Sequence, residues 1–188
     1  MNRGKLVVGL TGMPGAGKSI VVNVAKTNGY GVVVMGDEVR EEARRRGLEP
    51  TPENLGRIML ELRRLEGDAV IAKRCVPKIA GMTENKVIVD GIRSLVEVEE
   101  FRRNFSKFVV IAVHASPETR FKRLFHRRRS DDPSNWEVFH ERDMRELSVG
   151  LGNAIALAEY VIINEGSLDA FERKAAQVLR RIEAKWMK

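Results

Sequence analysis

One stretch near the start of the chain constrains the fold more than any other part of the sequence. Residues 12–19 read Gly-Met-Pro-Gly-Ala-Gly-Lys-Ser and match the pattern G-x-x-x-x-G-K-[ST]. The apolar run 6–10 precedes them, and the segment 19–26, which has helical character, follows. Glycines let the backbone curl until its N–H groups point inward, and a helix N-terminus adds partial positive charge there. The order strand, glycine-rich loop, helix therefore predicts a phosphate-binding loop.

Residues of this loop have distinct expected roles. Lys18 is expected to reach the β- and γ-phosphates of a nucleotide, and the Ser19 hydroxyl is expected to hold Mg²⁺. The predicted nucleotide-binding residues of the loop are Gly12, Met13, Pro14, Gly15, Ala16, Gly17, Lys18, Ser19 and Ile20. The alternative is a glycine-rich turn with a chance Lys-Ser pair, and the flanking strand and helix argue against it.

A phosphate loop alone does not name a reaction, because hydrolases and small-molecule kinases share it. A GTPase would also carry an N-K-x-D motif that reads guanine. The one Asn-Lys pair, Asn85-Lys86, is followed by Val87 and Ile88, and it begins a predicted strand. The sequence therefore disfavours a GTPase.

Apolar runs alternate with amphipathic segments along the chain. The runs 5–11, 31–35, 86–90, 108–114 and 160–164 are rich in β-branched residues and almost continuously apolar, as is typical of strands buried on both faces. Helical segments separate them, so we predict an α/β fold of three α/β/α layers around a central five-stranded parallel sheet. The last helix carries an apolar stripe at helical spacing, formed by Leu168, Phe171, Ala175, Val178, Leu179, Ile182 and Trp186.

Length and composition limit the alternatives. The 188 residues fit one domain, 1–188, in which a helical insertion is predicted at about 37–81 and a short lid at about 128–135. The single cysteine, Cys75, excludes an internal disulfide framework and a four-thiolate metal site, and a reducing cytoplasm is the expected compartment. No apolar run approaches the roughly 20 residues that span a bilayer, so no membrane partner is expected.

The charge balance indicates an anionic partner. There are 33 Lys and Arg residues against 26 Asp and Glu residues, which gives a net charge of +7. This excess alone does not separate nucleic acid from a membrane surface or a small phosphorylated ligand.

Three polar clusters lie where such folds bind ligands, beyond the ends of predicted strands. They are Gly-Asp-Glu-Val-Arg at 36–40, Asp-Gly-Ile-Arg at 90–93 and the arginine-rich stretch 120–145. Asp90, at the end of an apolar strand, is well placed to hold Mg²⁺. Arginines from several loops could bind phosphate oxygens in a bidentate manner.

In this order the motifs resemble the nucleoside-monophosphate-kinase group of P-loop proteins, which includes adenylate kinases and dephospho-CoA kinases. Gly36-Asp37-x-x-Arg40 resembles the G-D-x-x-R motif of adenylate kinases, whose arginine holds the acceptor phosphate. Asp90-Gly91-Ile92-Arg93 resembles their D-G-F-P-R motif, although it is one residue shorter and lacks the proline.

The resemblance continues through the C-terminal half. Arg123-x-x-x-Arg127 resembles the arginine pair that closes over ATP, Arg129-Ser130-Asp131-Asp132 resembles the R-x-D-D of the lid, and Arg142 resembles the arginine that follows it. The segment 160–168, with Asn164, resembles the V-I-x-N-x-G-S-L of dephospho-CoA kinases. The combined pattern is most similar to an archaeal branch described as adenylate-kinase-like.

This resemblance implies a kinase that uses ATP and Mg²⁺ and phosphorylates a nucleotide-like small molecule, either a nucleoside monophosphate or a dephospho-CoA-like compound. The insertion at 37–81 would then bind the acceptor. The implied catalytic residues are Lys18, Asp37, Arg127, Arg129 and Arg142. The remaining implied contacts are Arg123 and Asn164 to the nucleotide, Asp37, Arg40 and Arg93 to the acceptor, and Ser19 and Asp90 to the metal.

One alternative belongs to a different class: a P-loop ATPase that binds RNA or DNA and uses ATP as a switch. It is supported by the high isoelectric point, about 9.8, and by the basic last helix. The absence of a helix-turn-helix, zinc or RNP-like sequence motif argues against it.

Overall fold

The structure is a computed structural model that describes residues 4–127 and 132–186. Its strands are β1 (Leu6–Thr11), β2 (Gly31–Val34), β3 (Lys86–Ile92), β4 (Lys107–His114) and β5 (Tyr160–Ile163). The helices of the described ranges are α1 (Lys18–Thr27), α2 (Met35–Arg45), α3 (Pro52–Glu66), α4 (Val70–Gly81), α5 (Leu95–Asn104), α6 (Pro117–Arg127), α7 (Trp136–Ser148), α8 (Leu151–Ala156) and α9 (Leu168–Trp186). No helix in these ranges is both long and apolar enough to cross a membrane.

The five strands form one sheet in the order β2-β3-β1-β4-β5, and every pair is parallel. Successive side chains of a strand point to opposite faces. In β1, Leu6 and Val8 pack with α1 and α9, whereas Val7 packs with the cluster formed by α2 to α5 and α8. Helices therefore cover both faces, which explains the continuous apolar runs and confirms the predicted three-layer α/β/α fold.

The second strand ends earlier than predicted. Met35 was expected to be its last residue, but it begins α2, which follows β2 without a loop. Gly36 and Asp37 consequently lie in the first turn of α2, directly after the end of the strand. The Met35 side chain is buried with Val39 in the core under α3 and α4, and this tertiary packing outweighs the strand propensity of the local sequence.

The third strand, by contrast, runs two residues past the predicted end at Asp90. Its register against β1 shifts between Leu10 and Thr11, so that Thr11 pairs with Ile92. The Thr11 Oγ1 hydroxyl donates to the Ile92 carbonyl at 2.9 Å and holds the two strand ends together beyond this bulge.

The segment 37–81 is largely helical and contains α3, α4 and most of α2. Ile58 and Leu62 of α3 and Cys75 of α4 are buried in the same core cluster as the β3 residue Val89. The insertion therefore packs directly on one face of the sheet. A buried Lys5 also ties its end to the start of β1, since its Nζ donates to the carbonyls of Ile79 and Met82.

Two further predictions concern the C-terminal half. The stripe of α9 is buried at Phe171, Ala175, Leu179 and Ile182, but Leu168 is 54% exposed, because it stands in the first turn beyond the edge of the core. The predicted lid begins at 128, and residues 128–131, with Arg129, lie outside the described residues. Its described part leads into α7.

Candidate active site

The phosphate loop connects β1 to α1 and needs glycine at several positions, Gly12 and Gly17 among them. Gly12 has φ +142°, and a Cβ atom there would lie 2.3 Å from the Val113 carbonyl oxygen. Gly17 has φ +106°, and a Cβ atom there would lie 2.3 Å from the Asn164 Nδ2. Backbone and side chains of β4 and of the segment after β5 therefore press against the loop, and only glycine lets it curl at this distance.

Lys18 begins α1 and folds back over the loop. Its Nζ donates to the Gly12 carbonyl at 2.5 Å and to the Met13 carbonyl at 3.2 Å. Burial lowers the pKa of Lys18 to about 8, the nearby Asp90 opposes this shift, and Arg93 adds to it. The lysine thus lies beside the loop with its proton held less firmly than in solution.

Asp90 faces Lys18 from β3. Its Oδ1 is buried and has no hydrogen-bond partner among the described residues. Burial raises the pKa of Asp90, while Lys18 and Arg93 counteract that shift. A buried polar atom without a partner is costly, so this oxygen is suited to a cation or donor that residues 4–127 and 132–186 do not supply.

Ser19 and Asp90 fit the requirements of Mg²⁺. Both line the cleft that contains the phosphate loop. Within 4–127 and 132–186 no cluster of three or more His, Cys, Asp or Glu side chains could hold a metal. Mg²⁺ is commonly held by one or two protein oxygens, with water and substrate phosphates completing the shell, and a serine hydroxyl with one carboxylate matches that pattern.

Asn164 and Arg123 support the loop from the opposite side. Asn164 Nδ2 donates to the Ala16 carbonyl at 2.8 Å, and the Arg123 NH2 donates to the Asn164 carbonyl at 2.9 Å. The Arg123 NH1 atom is buried without a partner among the described residues. The sequence predicted both residues as nucleotide contacts, and the structure brings both to the phosphate loop.

A buried ion pair that sequence reasoning missed also fixes the loop. Arg120 of α6 binds Asp143 of α7 through two hydrogen bonds of 2.8 and 2.5 Å, and its NH1 donates to the Pro14 carbonyl at 3.2 Å. Both side chains are buried. The only sequence signal was an arginine at the apolar spacing of α6, where a charged residue needs a partner.

Two clefts meet at this loop. The first has a volume of about 450 Å³ and contains the loop glycines with Ser19, Arg123, Arg127 and Arg142. The second has a volume of about 660 Å³ and lies between α2, α3 and the end of β3. Four residues line both clefts: Lys18, Asp90, Gly91 and Arg93.

Two arginines of the first cleft, Arg127 and Arg142, lie near the same carboxylate. Arg127 donates to Asp132 through two hydrogen bonds of 3.0 and 2.5 Å, and the Arg142 NH1 lies 4.0 Å from the same carboxylate. The structure therefore brings Arg127 and Arg142 together at one wall of the cleft. Arg129 lies outside the described residues.

The predicted acceptor residues are placed differently from one another. Arg40 and Arg93 line the second cleft, whereas Asp37 lines neither cleft. The Asp37 carboxylate is exposed and accepts from the Arg40 Nε at 3.0 Å. The Arg93 NH1 lies 3.5 Å from Glu146 and 3.6 Å from the Met59 sulfur, so Arg93 spans from β3 to α3 and α7.

A second buried pair in this cleft was also missed. Arg63 of α3 donates to Glu97 of α5 at 2.9 Å, with side chains only 10% and 1% exposed. Glu97 also accepts from the backbone N–H of Arg93 at 2.7 Å. These partners are 34 residues apart in the sequence, and no local sequence pattern indicates such a contact.

The chain matches known proteins along most of its length. Residues 11–140 match the AAA domain. A UPF0200 protein of Hyperthermus butylicus is 52% identical over 178 residues, which cover 95% of each chain. A UPF0200 protein of Methanocaldococcus jannaschii is 49% identical over 179 residues, covering 94% of this chain and 90% of that protein.

Solved structures share the fold at low identity. A gluconokinase from Sinorhizobium meliloti has a TM-score of 0.59 and 16% identity over 97% of this chain and 96% of that one. A shikimate kinase from Acinetobacter baumannii has a TM-score of 0.59 and 16% identity over 98% and 96%. The sheet order β2-β3-β1-β4-β5 is typical of P-loop kinases, and the P-loop domain implies nucleotide binding. The chain therefore belongs to the UPF0200 family and carries an AAA domain of the P-loop type.

Proposed function

We propose that this protein is a phosphotransferase that moves the γ-phosphoryl group of ATP to a nucleotide-like small molecule, a nucleoside monophosphate or a dephospho-CoA-like compound. The observation that carries the proposal is the junction of the two clefts. The phosphate loop forms one cleft and the helical insertion forms the other, and they meet at Lys18, Asp90, Gly91 and Arg93. A donor and an acceptor bound in them would present their phosphates to each other.

The donor side supplies positioning and positive charge. Phosphoryl transfer depends mainly on alignment and on neutralising charge as it develops. The loop N–H groups and Lys18 would hold the donor phosphates. Ser19 and Asp90 would hold Mg²⁺, which supplies charge neutralisation when it is bound. Arg127, Arg142 and, by resemblance, Arg129 would stabilise the transferring group.

The acceptor side supplies two arginines. Arg40 and Arg93 line the second cleft and could bind the acceptor phosphate. Asp37 accepts a hydrogen bond from Arg40, and we assign it to positioning this arginine, because a phosphate acceptor needs no base to remove a proton. The resemblance to adenylate kinases and dephospho-CoA kinases, and the fold shared with two small-molecule kinases, support this choice of reaction.

A phosphotransfer screen tests the proposal. Purified protein is incubated with Mg-ATP and a panel of nucleoside monophosphates plus dephospho-CoA, and products are scored by mass. At least one acceptor should be phosphorylated, and Lys18→Ala should slow that reaction by about 10²–10³-fold, as loss of a preorganised charge predicts.

The matched control is Lys26→Ala, which removes an exposed lysine from the same helix and should leave turnover unchanged. Equal turnover in the Lys18→Ala protein and the wild type would remove the phosphate loop from the reaction and end the proposal.

A further inference from the structure

The second cleft contains a buried arginine that has no part in the proposed phosphoryl transfer. Arg63 lines the cleft, and its side chain is 10% exposed. Its NH2 donates to Glu97, and its Nε is buried without a hydrogen-bond partner among residues 4–127 and 132–186. A guanidinium carries five N–H donors in a planar fork, so the described residues use only part of the donor capacity of Arg63.

Glu97 determines which ligand atoms suit this arginine. It is 1% exposed, and its two oxygens accept from the Arg63 NH2 at 2.9 Å and from the Arg93 N–H at 2.7 Å. Arg63 and Glu97 carry opposite charges, so the pair has almost no net charge. A phosphate or carboxylate placed against Arg63 would also face this buried carboxylate and be repelled, whereas a neutral oxygen or nitrogen acceptor would not.

The surrounding wall favours a flat apolar ring. The apolar side chains that line this cleft are Val34, Met35, Val39, Pro50, Leu55, Met59 and Ile71. Two of these are methionines, whose thioethers pack favourably against aromatic rings. The cleft volume of about 660 Å³ lies within the range of roughly 300–1,000 Å³ for sites that enclose a small organic ligand.

We propose that Arg63, held in place by Glu97, determines which acceptor binds by donating hydrogen bonds to a ring nitrogen or carbonyl oxygen of a heterocyclic base. The base would lie against the apolar wall while Arg40 and Arg93 bind the phosphate of the same molecule. This inference rests on the proposed function, because it treats the second cleft as the acceptor site, and it specifies a nucleotide as the acceptor class.

The test measures binding without turnover. Adenosine, guanosine, cytidine and uridine 5′-monophosphates are titrated separately into the wild-type protein by calorimetry, with no ATP present. The wild type should bind at least one of them and discriminate among the four bases. In the double variant Arg63→Met/Glu97→Gln the preferred nucleotide should bind roughly tenfold or more weakly, and the discrimination among the four should collapse.

The double variant is chosen because Arg63→Met alone leaves the Glu97 charge buried without its partner, which destabilises a fold strongly. Glu97→Gln removes that charge, and its amide oxygen can still accept from the Arg93 N–H. A thermal unfolding curve confirms that the variant is folded. Arg64→Met is the matched control: this neighbouring residue of α3 is exposed, and its removal should change no affinity.

Two results would overturn the inference. One is a wild type that binds none of the four nucleotides or binds all four equally. The other is a folded double variant that keeps the base preference of the wild type. Failure of the proposed function would look different from either of these results. In that case calorimetry would show selective nucleotide binding, but the phosphotransfer screen would give no product.

Discussion

Lys18 illustrates how one residue couples the site to pH. Burial lowers its pKa to about 8 from an ordinary value of 10.5, so above pH 8 the empty site largely loses this charge. Between these two values the unfolded chain binds more protons than the folded one, and the contribution of Lys18 to stability therefore rises with pH. Bound phosphates would raise the pKa of Lys18 again, because a nearby negative charge favours the protonated amine.

Nucleotide binding at pH 8.5 should consequently be accompanied by proton uptake. The measurement is calorimetric titration of ATP in buffers that differ in ionisation enthalpy, where proton uptake makes the apparent binding enthalpy depend on the buffer. Lys18→Arg provides the comparison, since a guanidinium stays charged at this pH and should bind with no such dependence. A buffer-independent enthalpy for the wild type would show that Lys18 keeps its proton in the empty site.

At the scale of elements, the phosphate loop is fixed by the helices behind it. Arg120 of α6 connects Asp143 of α7 to the Pro14 carbonyl of the loop. Removing one partner of a buried pair leaves the other charge uncompensated. This contact therefore contributes to stability and to the shape of the nucleotide site together.

Arg120→Met should lower the free energy of unfolding by about 3–5 kcal/mol and should also weaken ATP binding, because the Pro14 carbonyl loses its donor. Urea unfolding and an ATP titration measure the two effects. The control is Arg102→Met, which removes an arginine from a half-exposed pair with Glu159 and should cost less than about 1 kcal/mol. Equal free energies of unfolding for the two variants would show that the buried pair stabilises the fold no more than the half-exposed pair does.

The two buried ion pairs also show which features could be predicted from the sequence and which could not. The phosphate loop, the five strands and the three layers follow from local patterns, because apolar periodicity and glycine spacing are recorded within a few residues. Arg120 with Asp143 and Arg63 with Glu97 are contacts between helices 23 and 34 residues apart in sequence. Arg120 is marked locally only by its apolar spacing, and the other three look like surface charges. Only the packing of the helices shows which partner each one binds.

The predicted end of β2 differs from the observed one for a related reason. The run ending at Met35 is apolar and β-branched, so it predicts a strand that reaches this residue. In the structure the chain turns directly into a helix there, and the Met35 side chain is buried below α3 and α4. Asp37 lies in the first turn of that helix, and only the packing of the helices shows that its carboxylate is exposed.

For the whole molecule, the net charge of +7 is distributed between a site and a surface. Lys18, Arg40, Arg93, Arg127 and Arg142 line the two clefts. The basic residues of α9 line neither cleft and are exposed: Arg173, Lys174, Arg180, Arg181 and Lys185. The proposed kinase needs the first group, whereas the nucleic-acid alternative depends on the second.

Filter binding separates these two functions. We expect no retention of RNA or DNA by the protein at low salt, while ATP binds in the same preparation. Retention that falls steeply as salt is added would favour the nucleic-acid alternative, since neutralised phosphates release their counterions. A variant with Arg180 and Arg181 changed to Gln would then show whether α9 is the surface responsible.

The common wall of the two clefts has a consequence for engineering. Lys18, Asp90, Gly91 and Arg93 belong to both clefts, so under the proposed function a substitution there would change donor and acceptor preference at once. Libraries that aim at a new acceptor should leave these four positions constant and vary only the far end of the second cleft, around Leu55, Met59 and Arg63. Libraries that aim at a new donor should vary the surroundings of Arg123, so that the two preferences are redesigned independently.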